Sequence, residues 1–574
     1  MDMSLTTCRA RRPSPRARPG DRARARAAFA VALGAPAAAL ALPAVAAPVR
    51  ADSSSIAQGP VPSDSPPLAQ GSAPTDSRAP LPPWTPVPPD SRPAPPPAPA
   101  TARPLQTDPE ARHVAPPHSP AQAASASEAA AHAGRGAGPP AAPPPYRLLR
   151  ADEDYRYLRD PSRRADLLDV LKYIPLGPRR RVALGLGGET RQRLDHFGHA
   201  DWGAGPARSN SWLQRYMLHA DLRAPSFRAF VQFKSALETG RPGGPRPIDR
   251  DDLDVHQAFA DLDLERPGLR VIVRAGRHEL AFGSGRLVSP REGPNVRRSF
   301  DGLSVILQLR KLRAHLFVTR PVATLPGIFD DGWEHRQWFA GAHATVPAPW
   351  RGGSVDVYAL YLDRPEAEYH RGRGHERRLS LGTRWFGAAG PVDYNVEAVL
   401  QTGRFGAAPL LAWTVATDTG VALPLPWDPR LGVRLDVASG DRGPGRPLGT
   451  FAALFPRGSY FGEDALLGPA NFFDAHPMLT LAPIERLGLT LDWVFLGRYS
   501  LADGIYNVPG EPTIFAPSDA RFIGHRAGVT LEAELARHVG FVVTVGRFFR
   551  GPYLVDAGRT RDTDFLATWL TLKF

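Results

Sequence analysis

A two-residue alternation of apolar and polar side chains recurs from residue 181 to the last residue, and it constrains the fold more than any other feature. In "GLRVIVRAG" the apolar Leu269, Val271 and Val273 share one face. The charged Arg270 and Arg274 share the other. A period of two is that of a β-strand, whereas helical spacing would mix the two sets. The pattern therefore predicts strands over this region.

About eighteen such segments follow one another, at a mean spacing of roughly 22 residues, which suits membrane strands of about ten residues with turns and loops. A soluble sandwich also alternates, but charges recur here on the opposite faces, and a two-sheet core would not tolerate them. A barrel in lipid accepts an apolar exterior and a polar lumen and leaves no unpaired edge. We predict an all-β fold: a transmembrane antiparallel β-barrel of about 18 strands over residues 181–574.

The residues before the barrel have a different composition. Residues 1–47 join a basic stretch to an apolar one that ends "AVAA", which predicts a signal peptide. Residues 48–145 are rich in proline, alanine and serine and predict a disordered spacer, because they carry too few apolar side chains to offset chain entropy. Residues 146–180 are expected to form a periplasmic lead-in with a helical turn or two. The one cysteine, Cys8, excludes a disulfide framework.

The net charge of +13 suggests an anionic partner, and the predicted barrel makes that partner a solute of the lumen rather than a nucleic acid. Arginine pairs with carboxylates through a planar fork that stays charged. By alternation, the basic side chains expected in the lumen are Arg191, Arg193, Arg215, Arg223, Arg228, Lys234, Arg270, Arg274, Arg313, Arg378, Arg384, Arg434, Arg498 and Arg526. The acids expected there are Glu189, Asp221, Asp356, Asp393, Glu397, Asp436, Asp492, Glu532 and Glu534. We expect more than half of the arginines to be paired with acids and the remainder to set selectivity.

Nothing in the sequence indicates an enzyme. His219, His256, His315 and His525 fall on strand segments without a serine spaced to pair with them. "GLGGET" precedes no helix, so it is not a dinucleotide site. We predict no catalytic residue, no metal ligand and no cofactor.

One stretch, "VRAGRHELAFGSGRLVSPREGPNVRRSFDG", resembles the alginate export family of outer-membrane proteins. "LKYIPLG", "RYMLHADLR", "FPRGSYFG", "GRYSLADGIY" and "RFIGHRAGV" add shorter matches in the family's order. The residues that match the main motif are Arg277, Glu279, Arg286, Arg291, Glu292, Asn295, Arg297 and Asp301. The resemblance implies a monomeric barrel of eighteen strands whose arginine-rich lumen passes a polyanionic polysaccharide outward.

Two functions remain open at this point: an exporter of an alginate-like polyuronate with periplasmic partners, and a passive anion-selective porin for small solutes. Either places the protein in the outer membrane of a Gram-negative cell. The last strand ends on Phe574, the kind of ending that outer-membrane assembly machinery reads in this class. "FGSGRLVSPREGPNVRRSF" connects two strands and predicts either a lumen constriction or a surface loop, and the insertion from Gly440 to Phe473 has the same two interpretations.

Overall fold

The computed structural model of the protein describes residues 143–177, 181–350 and 352–574. The predicted signal peptide, and the predicted spacer up to residue 142, lie outside the described residues, so both remain predictions. Among the described residues, no helix is long and apolar enough to cross a membrane.

Eighteen long antiparallel strands form one closed barrel in the described part of the chain. In chain order they are β2 (Val182–Gly198), β3 (Arg208–Arg223), β4 (Phe227–Thr239), β5 (Asp251–Arg266), β6 (Leu269–His278), β7 (Phe300–Leu309), β8 (Leu312–Ala323), β10 (Trp338–Pro347), β11 (Gly353–Tyr369), β12 (Gly372–Ala389), β13 (Val392–Phe405), β14 (Ala408–Ala422), β15 (Arg430–Ala438), β16 (Phe472–Ile484), β17 (Leu487–Arg498), β20 (Phe522–Ala536), β21 (Val539–Arg550) and β22 (Thr563–Lys573). The first and last of them pair from Glu189 opposite Lys573 to Gly198 opposite Asp564 and close the sheet. The predicted antiparallel barrel of about 18 strands is thereby confirmed.

Four short strands complete the list. β1 (Ile174–Leu176) pairs with the start of β2, and β9 (Gly332–Trp333) pairs with the end of β8. β18 (Ile505–Tyr506) and β19 (Pro512–Ile514) form a separate ribbon within the connection from β17 to β20.

Alternation separates the two sides of the wall. On β17, Leu491, Trp493 and Phe495 are exposed on the outside, whereas Val494 and Leu496 are buried on the inside. An exterior of this kind is what contact with lipid tails requires. Trp212, Trp338 and Trp385 are also exposed, as expected of interface girdles, whereas Trp569 faces the interior.

Polar side chains that interrupt the outer face satisfy one another. Trp212 Nε1 donates to Gln192 Oε1 at 3.1 Å, and Gln192 Nε2 donates to the Tyr216 hydroxyl at 3.2 Å. That hydroxyl donates in turn to Gln214 Oε1 at 3.1 Å. Polar groups without partners are costly in lipid, so this chain of bonds explains how the alternation tolerates two glutamines on its outer face.

The two ends of the barrel differ in the length of their connections. Tight turns such as Arg310–Lys311 and Glu485–Arg486 lie at one end, and the long connections 279–299, 439–471 and 499–521 start from the other. Outer-membrane barrels place short turns in the periplasm and long loops outside the cell. We assign the two ends accordingly.

The segment before the barrel packs at the short-turn end. It contains 3-10 turns at Arg150–Asp152, Arg156–Arg159 and Pro161–Arg163 and a short helix at Asp169–Lys172. Buried Arg150 donates to the main-chain oxygens of Gly188 on β2, at 3.0 Å, and of Phe574 beyond β22, at 2.8 Å. This segment therefore bridges the seam where the barrel closes.

Candidate functional site

The connection 279–299, here called the first inner loop, folds into the barrel. Asn295 is fully buried, and its side-chain nitrogen donates to the main-chain oxygens of Gln214, Leu237 and Asp249 at 2.9–3.1 Å. Across the lumen, Arg286 forms an ion pair with Asp436 on β15. The loop thus contacts strands on opposite sides of the wall, so of the two interpretations of this stretch the structure selects the lumen constriction.

Aromatic packing holds the middle of the first inner loop. The Phe282 ring stacks on Phe317 of β8 and on His343 of β10, with centroids 5.3 and 5.0 Å apart. Leu280 and Val288 are almost completely buried. These contacts anchor the middle of the loop against β8 and β10.

The connection 439–471, the second inner loop, pairs with the first through main-chain hydrogen bonds. Ser289 N donates to Phe455 O at 2.9 Å, and Phe455 N donates to Leu287 O at 2.8 Å. A glycine permits the close approach, since a Cβ atom on Gly458 would lie 2.4 Å from Pro294 Cδ. This insertion therefore also lies in the lumen, beside the first inner loop.

A cavity of about 380 Å³ remains between the inner loops and the wall formed by β2, β15, β16, β17, β20 and β22. Its basic lining residues are Arg191, Arg193, Arg297, Arg434, Arg457, Arg526 and Lys573. Its acidic lining residues are Glu292, Glu463, Asp492 and Glu532. Tyr146 and Leu148, which precede the barrel, also reach this space, so the cavity extends towards the short-turn end.

Charged side chains form a row across the cavity wall. Arg434 lies opposite His476, whose Nε2 is 3.2 Å from Asp492 Oδ2. Arg526 Nη1 donates to the same carboxylate at 2.7 Å. Arg526 lies flat against the wall because its neighbour Gly528 has no side chain: a Cβ atom there would lie 2.4 Å from Arg526 Nη1.

Arg457 differs from the other cations that line the cavity. It lies half-buried on the second inner loop, and none of the carboxylates in the described residues is within 4.0 Å of it. Its Nη2 reaches only the main-chain oxygen of Tyr460, at 3.4 Å. The sequence analysis quoted "FPRGSYFG" as a family match but did not single out this arginine, because residues on a connection carry no alternation.

The predicted lumen cations fall into two groups. Arg191, Arg193, Arg434 and Arg526 line the cavity. The others lie elsewhere on the inner wall, and most are paired with acids: Arg215 with Glu189, Arg223 and Arg228 with Asp221, Lys234 with Asp251 and Asp331, Arg270 with Asp263, Arg274 with Asp261, Arg378 with Glu376 and Arg384 with Asp356. Arg498 instead donates to the main-chain oxygens of Ser518 and Ala520, both at 2.7 Å. These pairs neutralise much of the positive charge that a count of arginines would assign to the lumen.

Lys234 accounts for one acidic cluster. Asp254, Asp330 and Asp331 converge near the long-loop end. The Lys234 ammonium lies 2.7 Å from Asp331 Oδ2, beside fully buried Asp251. The Lys234 ammonium therefore supplies the positive charge beside this cluster of carboxylates.

The family-motif residues hold the first inner loop in place. Arg277 and Asp301 form an ion pair at 2.9 Å between β6 and β7, where the loop leaves and rejoins the wall. Arg297 bridges Glu279, at 2.6 Å, and Glu292. Arg291 lies within the loop and donates to Val296 O at 3.1 Å, and Asn295 and Arg286 make the wall contacts described above. Of the motif, Glu292 and Arg297 also line the cavity.

The strand histidines are scattered. His256 contacts Glu279 at 2.9 Å and His219 stacks on Phe230, both inside the barrel. His315 contacts the edge of Phe282. His525 instead lies among Trp493, Phe495 and Phe549 in the outer aromatic cluster, where Trp493 Nε1 donates to it at 3.0 Å.

No curated protein matches the chain. Among solved structures, a BenF-like porin from Pseudomonas fluorescens Pf-5 superposes with a TM-score of 0.48 at 10% sequence identity, covering 68% of this chain and 98% of that one. OpdO from Pseudomonas aeruginosa gives a TM-score of 0.47 at 11% identity, covering 68% and 97%. The sequence profile described as "Alginate export" matches residues 182–567, which is the barrel from its first strand into its last.

Proposed function

This chain belongs to the alginate export family and is an outer-membrane β-barrel channel, and from that premise we propose that it passes an anionic polysaccharide of the alginate-like polyuronate class outward. Family membership points to transport rather than to catalysis. The finer proposal concerns the cargo, its direction and the residues that recognise it.

The free guanidinium of Arg457 is the observation that carries this proposal. A carboxylate that enters the barrel loses part of its hydration and needs positive charge in return. Most guanidiniums of the inner wall are already paired with acids, whereas Arg457 has no carboxylate neighbour among the described residues. Arg434 and Arg526 line the same cavity but are paired, Arg434 with Asp418 at 2.8 Å and Arg526 with Asp464 and Asp492 at 2.8 and 2.7 Å, so Arg457 is the unpaired fork that a uronate there would meet among the described residues.

Passage of a polymer requires the inner loops to move. A cavity of about 380 Å³ lies in the range of sites that hold one small molecule, roughly 300–1,000 Å³. We propose that the conformation described here is closed to a polymer. We propose that the barrel is a monomer. We further propose that its inner loops open when periplasmic partners of the export route contact its short-turn end.

The cavity size also favours a second function, a passive anion-selective channel for small solutes. A single sugar acid fits the space without any movement of the loops. The two functions differ in the length of the molecule that crosses, so a size series distinguishes them. Liposomes containing the purified protein would admit galacturonate in either case. Longer oligogalacturonates would enter liposomes that contain a variant with released inner loops, such as Asn295→Ala, if the protein is an exporter, and would stay out if it is a porin.

The charge requirement is tested in planar bilayers across a potassium chloride gradient. We expect an anion-selective reversal potential and concentration-dependent block by oligogalacturonate. Arg457→Gln should reduce both the anion preference and the block. Arg404→Gln is the matched control, because Arg404 is exposed on the outside of β13. Cation preference in the wild type, or full block in Arg457→Gln, would contradict the proposal.

A further inference from the structure

We propose that Thr480, Thr490 and Thr530 form a subsite that binds the hydroxyl groups of a sugar acid inside the cavity. The inference rests on the proposed function and deepens it. The arginines would recognise the carboxylate, and the threonines would recognise the sugar ring that carries it.

The three threonines lie in one row across three adjacent strands. Thr480 on β16 is directly opposite Thr490 on β17, and Thr490 is directly opposite Thr530 on β20. All three line the cavity. Because neighbouring strands are about 4.8 Å apart, the row presents hydroxyls over roughly 10 Å of the wall.

The row of threonines has a fourth member that lies outside the cavity. Thr544 on β21 is opposite Thr530, and their hydroxyl oxygens are 2.9 Å apart. Thr544 is completely buried and does not line the cavity. Its bond to Thr530 leaves Thr480 and Thr490 as the members of the row whose hydroxyls remain available to a ligand.

The hydroxyls of Thr480 and Thr490 have no hydrogen-bond partner among the described residues. A threonine whose role is only to stabilise the sheet would be served as well by valine, which shares its β-branched shape. A free hydroxyl in a cavity can both donate and accept, and its hydrogen rotates to suit the ligand. Sugar hydroxyls have the same dual capacity, whereas chloride and simple carboxylates do not.

The charged row lies next to the threonine row on the side of the long loops. On β16, His476 and Thr480 both point inwards and are separated by one inward residue, Met478. Since β16 runs from the long-loop end to the short-turn end, a molecule entering from the periplasm meets the threonines before the arginines. A uronate whose carboxylate reaches Arg434 or Arg526 would place its ring beside the threonine row.

Isothermal titration of the purified full-length protein tests the subsite without requiring an open channel. The probes are glucuronate and cyclohexanecarboxylate, a carboxylate on a six-membered ring without hydroxyls. We expect the wild type to prefer glucuronate. Thr480→Val with Thr490→Val should lower glucuronate affinity by about 30-fold, the loss of two ordinary hydrogen bonds, and leave cyclohexanecarboxylate affinity unchanged. Thr402→Val, a change on the exposed outer face of β13, should bind both probes as the wild type does.

Equal affinity of the wild type for the two probes would overturn the subsite, and so would undiminished glucuronate binding by the double variant. If the double variant does not fold, the comparison of the two probes on the wild type and on each single variant decides the question. Failure of the proposed function gives a different result: no anion preference in bilayers, with the preference for glucuronate intact.

Discussion

Replacement of Asn295 by alanine should release the first inner loop without disturbing the barrel wall. Asn295 is completely buried, and its side-chain nitrogen faces three main-chain oxygens contributed by Gln214, Leu237 and Asp249. Its own main-chain nitrogen donates to Asp249 Oδ1 at 2.8 Å, a bond that alanine retains. The substitution therefore removes one specific set of contacts between the loop and the wall.

The free energy lost on this substitution follows from the number of hydrogens on the Asn295 side-chain amide. A side-chain amide has two, so three acceptors share two hydrogen bonds. Each contributes about 1 kcal/mol net, which gives a loss of about 2 kcal/mol for the closed position of the loop. Since 1.4 kcal/mol corresponds to a factor of ten, the open population should rise about 30-fold.

Hydrogen exchange read by mass spectrometry measures this population directly, because amides in a loop exchange through its local opening. Peptides from residues 279–299 should exchange about 30-fold faster in Asn295→Ala, whereas peptides from β2 and β22 should not change. Asn507→Ala is the matched control, since Asn507 also donates a side-chain hydrogen bond, to Glu511 at 2.8 Å, but within the connection 499–521. Unchanged exchange in the loop of Asn295→Ala would refute the view that these contacts hold it closed.

Three further predictions concern the lead-in segment and the charged row. Burial, and next the nearby Arg537, lower the pKa of Lys172 to about 8 from 10.5, so the charged lysine opposes docking of its segment. The cost is present below pH 8 and disappears as the pH rises from about 8 to about 10.5, so limited proteolysis should show tighter docking at pH 9.5 than at pH 7.5, and Lys172→Met should remove the difference. Arg150→Ala removes two charge-assisted bonds across the seam and should destabilise the barrel by about 3–5 kcal/mol, seen as a lower temperature for loss of the compact band in gel electrophoresis; an unchanged temperature would contradict the seam bridge. Gly528→Ala should displace the Arg526 guanidinium and reduce anion preference in bilayers, whereas Gly540→Ala, where a Cβ atom meets nothing within 4 Å, should not; equal reversal potentials would show that Arg526 does not set selectivity.

The strands were predictable from the sequence because the surroundings of each strand determine the pattern of its own side chains. Lipid on one side and a polar interior on the other impose a period of two on every strand, and this signal needs no information from the neighbouring strands. Trp569 illustrates its reach, since its neighbours in the alternation, Leu570 and Leu572, are exposed on the outside and Trp569 itself lines the cavity. Gln192 and Gln214 break the pattern together, because both form hydrogen bonds with the Tyr216 hydroxyl.

The inner loops could not be placed in the same way. Their residues show no two-residue pattern of apolar and polar side chains. Their positions depend instead on partners far along the chain, such as Asp436 for Arg286 and Phe455 for Leu287. The same dependence explains why alternation could not say which arginines are paired. It identified which arginines face inwards, as with Arg274, but not the acids opposite them, such as Asp261.

The distribution of ion pairs links the position of the loops to recognition of the substrate. A buried pair contributes little net stability, but removing one partner leaves an uncompensated charge, so pairs such as Arg286 with Asp436 fix geometry more than they stabilise the fold. Arg457, which lacks such a partner among the described residues, sits on the second inner loop, and its main-chain nitrogen donates to Gly285 O of the first at 3.0 Å. A carboxylate bound by Arg457 therefore acts on both inner loops at once. A channel built in this way would sense an anion through the same elements that close it.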